Sequence, residues 1–244
     1  MNIKPAFRYQ MKSYLKGGIT IYLILMAIIA ALLIGLINVR SSTATTVSFS
    51  GISITTAIFL FVTGIVNIRS DLRLCLQYGV SRRTSYISEL LVIGSISAVL
   101  AAAGELLSGV IQLITAHDQQ FLMSDLYQLI FLGSEKTTLN FSQHILSALI
   151  NVGLMSAACL FGMFFSLMFW RLNKFWTVVA ALSIPVLLNV VPILISVSGL
   201  DLKPFLKWVV SSPFCLILSF ILMAAFFGII NWLMLRKANI REAN

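Results

Sequence analysis

Six apolar runs, each about the length that crosses a bilayer, constrain this chain more than any other feature. They lie at about 19–39, 47–68, 90–116, 145–170, 175–198 and 209–235. A helix needs about 20 apolar residues to cross a hydrocarbon layer of about 30 Å. Inside that layer the backbone must satisfy its own hydrogen bonds, so runs of this length read as α-helices. Composition closes off the soluble alternative. Only 10% of the 244 residues are charged and 59% are hydrophobic, against about 25% charged in a typical soluble domain. The expectation is an all-α membrane protein with six transmembrane helices and loops too short for a separate soluble core.

The charges orient these spans. With the N-terminus inside, thirteen of the seventeen lysines and arginines fall on inner segments, and only Arg40, Lys136, Lys203 and Lys207 fall outside. The positive-inside rule therefore predicts both termini, including the 236–244 tail, in the cytoplasm. It also gives the net charge of +9 an origin in topology and anionic lipid rather than nucleic acid. The first run is too long for a signal peptide and no small-residue cleavage site follows it. Residues 121–133, "FLMSDLYQLIFLG", are apolar but short and contain Asp125. Counting them as a span would turn Arg171, Lys174 and the basic tail outward. They read as an outer-face amphipathic or re-entrant helix with Leu122, Leu126, Leu129 and Ile130 toward lipid or protein, or as a plain outer loop.

Residues 1–18 place Lys4, Arg8, Lys12 and Lys16 four apart, with Ile3, Phe7, Met11 and Tyr14 at three to four. Helical winding puts these on separate faces. The expectation is an interfacial amphipathic helix whose lysines meet anionic headgroups, ended by Gly17–Gly18 before the chain turns into the bilayer. A positively charged segment without fixed structure is the alternative.

Motifs of catalysis are missing. There is no phosphate-binding loop, no H-E-x-x-H and no G-x-S-x-G. Cys75, Cys159 and Cys215 stand alone, without metal-ligand spacing, and read as small buried hydrophobes. His117 and His144 read as surface or interfacial. Glu105 is the one acid inside a predicted span. Charge in hydrocarbon costs about 2.5–3.5 kcal/mol on insertion scales, so Glu105 belongs on a cargo path or subunit seam, or near the outer headgroups. Pro185 and Pro192 can bend the fifth span, freeing backbone groups for Asn189 or Ser183; Asn189 joins Glu105 as a possible cargo-path residue. Gly104/Ser108 and Ala158/Gly162 would permit close helix packing. Phe- and Met-rich stretches such as "CLFGMFFSLMFW" suit apolar or amphipathic cargo, or simply face lipid and neighbouring helices.

The loop after the second span, "NIRSDLRLCLQYGVSRRTSYISELL", reads as helix, turn, helix. Ser70 can cap a short helix. Leu72, Cys75, Leu76 and Gly79 share one face, and Arg69, Arg73 and Gln77 another. Gly79 suits the left-handed residue that ends the helix, and Ser81 can cap the next, from Arg82 onward. A plain hairpin whose arginines only enforce orientation is the alternative.

This loop, the N-terminal amphipathic segment, the six-span topology and "PFLKWVVSSPFCLI" together resemble the membrane subunit of an ABC-2 type exporter of Gram-positive bacteria. "YGVSRR" is similar to the G-[VI]-S-R-[RK] element between spans two and three of those permeases. The resemblance implies a non-catalytic subunit of a bacterial plasma-membrane exporter. Two membrane subunits, identical or not, would sit on two copies of a cytoplasmic ATPase that binds ATP and Mg; this chain would bind no cofactor itself. Coupling would fall to Asp71 through Thr84, with Arg73, Tyr78, Gly79, Ser81, Arg82 and Arg83 foremost. Lys4, Phe7, Arg8, Met11, Lys12 and Lys16 would form the interfacial connector, against anionic lipid. The cargo would be amphipathic or hydrophobic, with a peptide or toxin foremost. A membrane sensor or assembly partner that moves no cargo is the competing reading.

Overall fold

The computed structural model describes residues 3–33, 47–49, 51–115, 121–123, 125–132, 139–171 and 203–236. Among them run six α-helices: α1 (Lys4–Leu33), α2 (Ile52–Gln77), α3 (Arg82–Thr115), α4 (Phe141–Arg171), α5 (Lys203–Ser211) and α6 (Pro213–Arg236). All but α5 are long and apolar enough to cross a membrane, so the protein is a membrane-embedded chain whose described residues are almost entirely helical. The expected fifth span, 175–198, with Ser183, Pro185, Asn189 and Pro192, lies outside the described residues.

Helix α4 is the hub. It packs against α2, α3 and α6, while α1 lies chiefly along α3. Leu60, Ile68, Ile93, Ile96, Met155 and Met163 fill the centre. Ile58, Val62 and Val66 of α2 and Ile221, Leu222 and Ile229 of α6 point outward, as lipid-facing side chains must. Two glycines set the α2–α4 approach. A Cβ on Gly64 would strike the Cys159 carbonyl, and one on Gly162 would strike the Phe61 carbonyl. The expected small-residue contact at Gly162 is thus present, and its partner is backbone. Phe161, Phe164 and Phe165 of α4 and Phe227 of α6 interleave beside it, with Phe161 4.8 Å from Phe227 between ring centroids.

Four boundaries differ from expectation. Gly17–Gly18 does not stop α1, which runs unbroken for 30 residues. A Cβ on Gly17 would come within 2.9 Å of the Phe59 ring, and one on Gly18 within 2.9 Å of Leu100. These glycines let α2 and α3 approach, a role that sequence alone cannot separate from a stop. Ser70 does not cap a helix either; α2 passes through it and its hydroxyl donates to the Asn67 carbonyl. The last span starts at Pro213 rather than Val209. Ser212 accepts from the Cys215 amide at 3.3 Å, so a serine cap followed by proline in the first turn begins α6, after the short α5. Residues 121–133 are not one simple helix. Phe121–Met123 pairs in parallel with Val47–Phe49, and Leu126 then leads into a π-turn at Gln128–Leu132. Leu126 and Ile130 pack around Tyr127, Ile150 and Leu216, while Leu129 stays exposed.

Length decides what reaches beyond the bilayer. At about 1.5 Å per residue, the 34 residues of α3 extend about 51 Å, well past a hydrocarbon layer of about 30 Å. On α2 the last outward apolar residue is Val66, and the outward residues then become Arg69, Ser70 and Arg73. The nine steps from Arg69 to Tyr78 carry the chain about 13 Å further.

Candidate functional site

The α2–α3 connection is a fixed elbow. Gly79 has φ of 72°, the left-handed region glycine occupies without a Cβ clash. Its amide donates to the Leu76 carbonyl at 3.0 Å, and the Val80 amide reaches back to Cys75 at 2.9 Å. This double closure is a Schellman motif. Two residues on, Ser81 accepts from the Thr84 amide at 3.2 Å, and its hydroxyl pairs with that of Thr84 at 2.7 Å. Both expected features, the glycine turn and the serine cap, are therefore present. Leu72 and Cys75 bury the inner face of the arm.

The elbow sorts its residues into two sets. Tyr78 is 79% exposed, and Arg73, Gly79, Ser81 and Arg83 are exposed beside it, with Arg82 half-buried. Asp71 and Thr84 are buried. Arg69 ties the arm to α4 by donating to the Ser166 carbonyl at 3.1 Å, and Ser166 returns a bond to the Ile65 carbonyl.

Behind the elbow, α1 is clamped to α3. The Tyr14 hydroxyl donates to Glu89 Oε1 at 2.7 Å, and the Ser88 hydroxyl donates to Gln10 at 2.6 Å. Gln10, Tyr14, Ser88 and Glu89 are almost fully buried. Glu89 Oε2 and Asp71 Oδ2 have no hydrogen-bond partner. On the opposite face of α1, Lys4, Arg8, Lys12 and Lys16 are exposed, while Phe7 and Met11 pack on the core. The apolar stripe thus meets protein, and the basic one is free. Sequence reading missed this clamp. Its trace is a polar stripe on α3, Ser81, Ser85, Ser88 and Glu89, at helical spacing; nothing local shows that it faces inward.

A second cluster joins α2, α3, α4 and the 125–132 segment. The Ser147 hydroxyl lies within hydrogen-bond distance of both Glu105 Oε1 and Asp125 Oδ2. Asn151 Nδ2 donates to the same two carboxyl oxygens at 3.2 and 3.0 Å. Ser53 donates to Asp125 Oδ1, and His144 Nδ1 is 3.1 Å from Glu105 Oε2. Burial works against the Asp125 carboxylate, but bonds from Ser147, Ser53, Asn151 and the Leu126 amide outweigh it and hold its pKa below the ordinary aspartate value.

This cluster adds to the readings of His144 and Glu105. His144, 31% exposed, keeps an interfacial position and in addition partners the half-buried Glu105. Glu105 is held in a network of side chains. It is also one of three buried or half-buried acids on the helices, with Asp71 and Glu89, because α2 and α3 extend past the apolar runs. His117 and Asn189 lie outside the described residues. Among the described residues, Cys75 and Cys159 are buried free thiols and no His, Cys, Asp and Glu side chains group to hold a metal.

Comparison with family models, with curated proteins and with solved structures returns no match.

Proposed function

We propose that this chain is the transmembrane subunit of an ATP-driven exporter of the ABC-2 kind, moving an amphipathic or hydrophobic cargo, foremost a peptide or toxin, out of a bacterial cell. The observation that carries the reading is the elbow. A doubly closed glycine turn and a serine cap hold Tyr78 about 18 Å past Val66, the last lipid-facing residue of α2, with Arg73, Arg82 and Arg83 near it. A side chain as large and apolar as tyrosine, 79% exposed among cations, suits insertion into an acidic groove on a partner.

In this reading the ATPase is a separate pair of chains that supplies ATP and Mg. Arg73, Tyr78, Arg82 and Arg83 meet it, Gly79 and Ser81 fix the angle, and Asp71 and Thr84 brace the arms from inside. Lys4, Arg8, Lys12 and Lys16 face anionic headgroups from the cytoplasmic interface, with both termini inside. The fifth of six spans falls at 175–198, and a second membrane subunit completes the assembly.

The experiment is purification of the full chain from its native membrane, with measurement of the ATPase that accompanies it. Tyr78→Ala combined with Arg83→Glu should abolish co-purification while leaving the membrane subunit folded. Wild-type chain that captures no ATPase would contradict the proposal.

A further inference from the structure

We propose that Glu105 and Asp125 form a proton-binding site, in which one proton shared through Ser147 pins the 125–132 segment to the helix bundle. The argument is a hydrogen count. Ser147 Oγ carries one hydrogen and lies 2.5 Å from Glu105 Oε1 and 2.6 Å from Asp125 Oδ2. A hydroxyl can donate to one of these oxygens. The other must then carry a hydrogen of its own and donate it to the serine oxygen, because two bare carboxylate oxygens at that range from one hydroxyl would repel.

The donors assign the proton. Asp125 accepts from Ser53 on one oxygen, from Asn151 on the other at 3.0 Å, and from the Leu126 amide. Glu105 shares the same Asn151 amide at the longer 3.2 Å and has His144 on its second oxygen, so Asp125 is the better-donated acid and the ionised one. Glu105 is therefore the acid, donating to Ser147, which donates to Asp125. Asn151 supplies an independent sign that the site takes a positively charged or proton-bearing ligand. It is 3% exposed, its amide sits between the two acids, and its Oδ1 has no partner. The other titratable groups facing the pair are His144 of α4, on Glu105 Oε2, and Tyr22 of α1, whose hydroxyl is committed to the Leu100 carbonyl at 2.6 Å. Among the described residues no lysine or arginine pairs with either acid.

Loss of the proton leaves two negative charges facing one hydroxyl hydrogen in a poorly solvated site. Repulsion then works against the contact that holds Asp125, and with it Leu126, Tyr127 and Ile130, over the end of α4. The segment is docked when the pair is protonated and released when it is not.

The test uses the full chain in lipid nanodiscs, in two measurements. Infrared spectroscopy at neutral pH should show a protonated-carboxyl band that Glu105→Gln diminishes and that Glu89→Gln does not remove. Spin labels at Leu129→Cys and Ile145→Cys, both at exposed positions, should report a short distance that lengthens as pH rises. With Glu105→Gln added, which mimics the protonated acid, that distance should stay short as pH rises. An unchanged infrared band in Glu105→Gln, or an opening whose pH dependence survives Glu105→Gln, overturns the proposal. Docking restored at high pH by sodium or potassium, but not by a bulky organic cation at equal ionic strength, assigns the site to a metal cation and overturns it as well.

Discussion

The Tyr14 hydroxyl meets the Glu89 carboxylate at 2.7 Å, across 75 positions of sequence. This bond fastens the first helix to the foot of the third, two turns beyond the elbow. Glu89 has its other oxygen unpartnered, so the tyrosine is its one described donor. Tyr14→Phe removes it and leaves a buried polar group unsatisfied, which costs about 1–3 kcal/mol. Glu89→Gln keeps an acceptor for that hydroxyl. Thermal unfolding in detergent should therefore place Tyr14→Phe well below wild type and Glu89→Gln closer to it. The double variant should show strong non-additivity.

The elbow should resist side chains at one position and tolerate them by conformation elsewhere. Gly79 has open space around a hypothetical Cβ, so any cost of substitution is backbone strain alone. Gly79→Ala should lose about 1–2 kcal/mol, while Gly79→Asn, which enters the left-handed region more readily, loses less. Ser81→Ala removes the cap of α3 and should cost about 1 kcal/mol. Unfolding midpoints of the three variants check the order.

Glycines inside helices offer a paired contrast. Gly64→Ala and Gly162→Ala drive a methyl into backbone of the facing helix and should each destabilise by about 1–3 kcal/mol. Gly94 has nothing within 4 Å of its hypothetical Cβ, and Gly94→Ala should be neutral or should stabilise by up to about 1 kcal/mol through helix propensity. Equal effects at all three positions would remove the close α2–α4 approach from the account.

These contrasts mark what the sequence can disclose. Gly79 and Ser81 were legible because turn closure and capping involve neighbours within five residues. The long apolar runs were legible because bilayer thickness sets their length. Gly17–Gly18 was not, since the atoms that explain it belong to Phe59 and Leu100 on other helices. Glu89 stayed hidden for a related reason. A polar stripe beside an apolar run reads as solvated until tertiary packing turns it inward. The partnership of His144 with Glu105 spans 39 positions, and neither residue carries a local sign of the other.

Acid should weaken the Glu105–Asp125 cluster through Asp125. Its folded pKa is depressed by the hydrogen bonds it accepts, so the folded state binds fewer protons there than the unfolded chain. The resulting stability is present above the unfolded aspartate pKa and is lost as pH falls through the folded one. Stability measured against pH should decline on the acid side in wild type, and this part of the decline should be absent in Asp125→Asn.

Coupling through the elbow is the central claim, and ATP turnover in the assembled complex tests it most directly. The full chain and its co-purifying ATPase, reconstituted in lipid, should hydrolyse ATP faster than the ATPase alone. Tyr78→Ala with Arg83→Glu should remove that stimulation while the unfolding midpoint of the membrane subunit stays unchanged. Stimulation that persists at full strength in this variant would contradict the account.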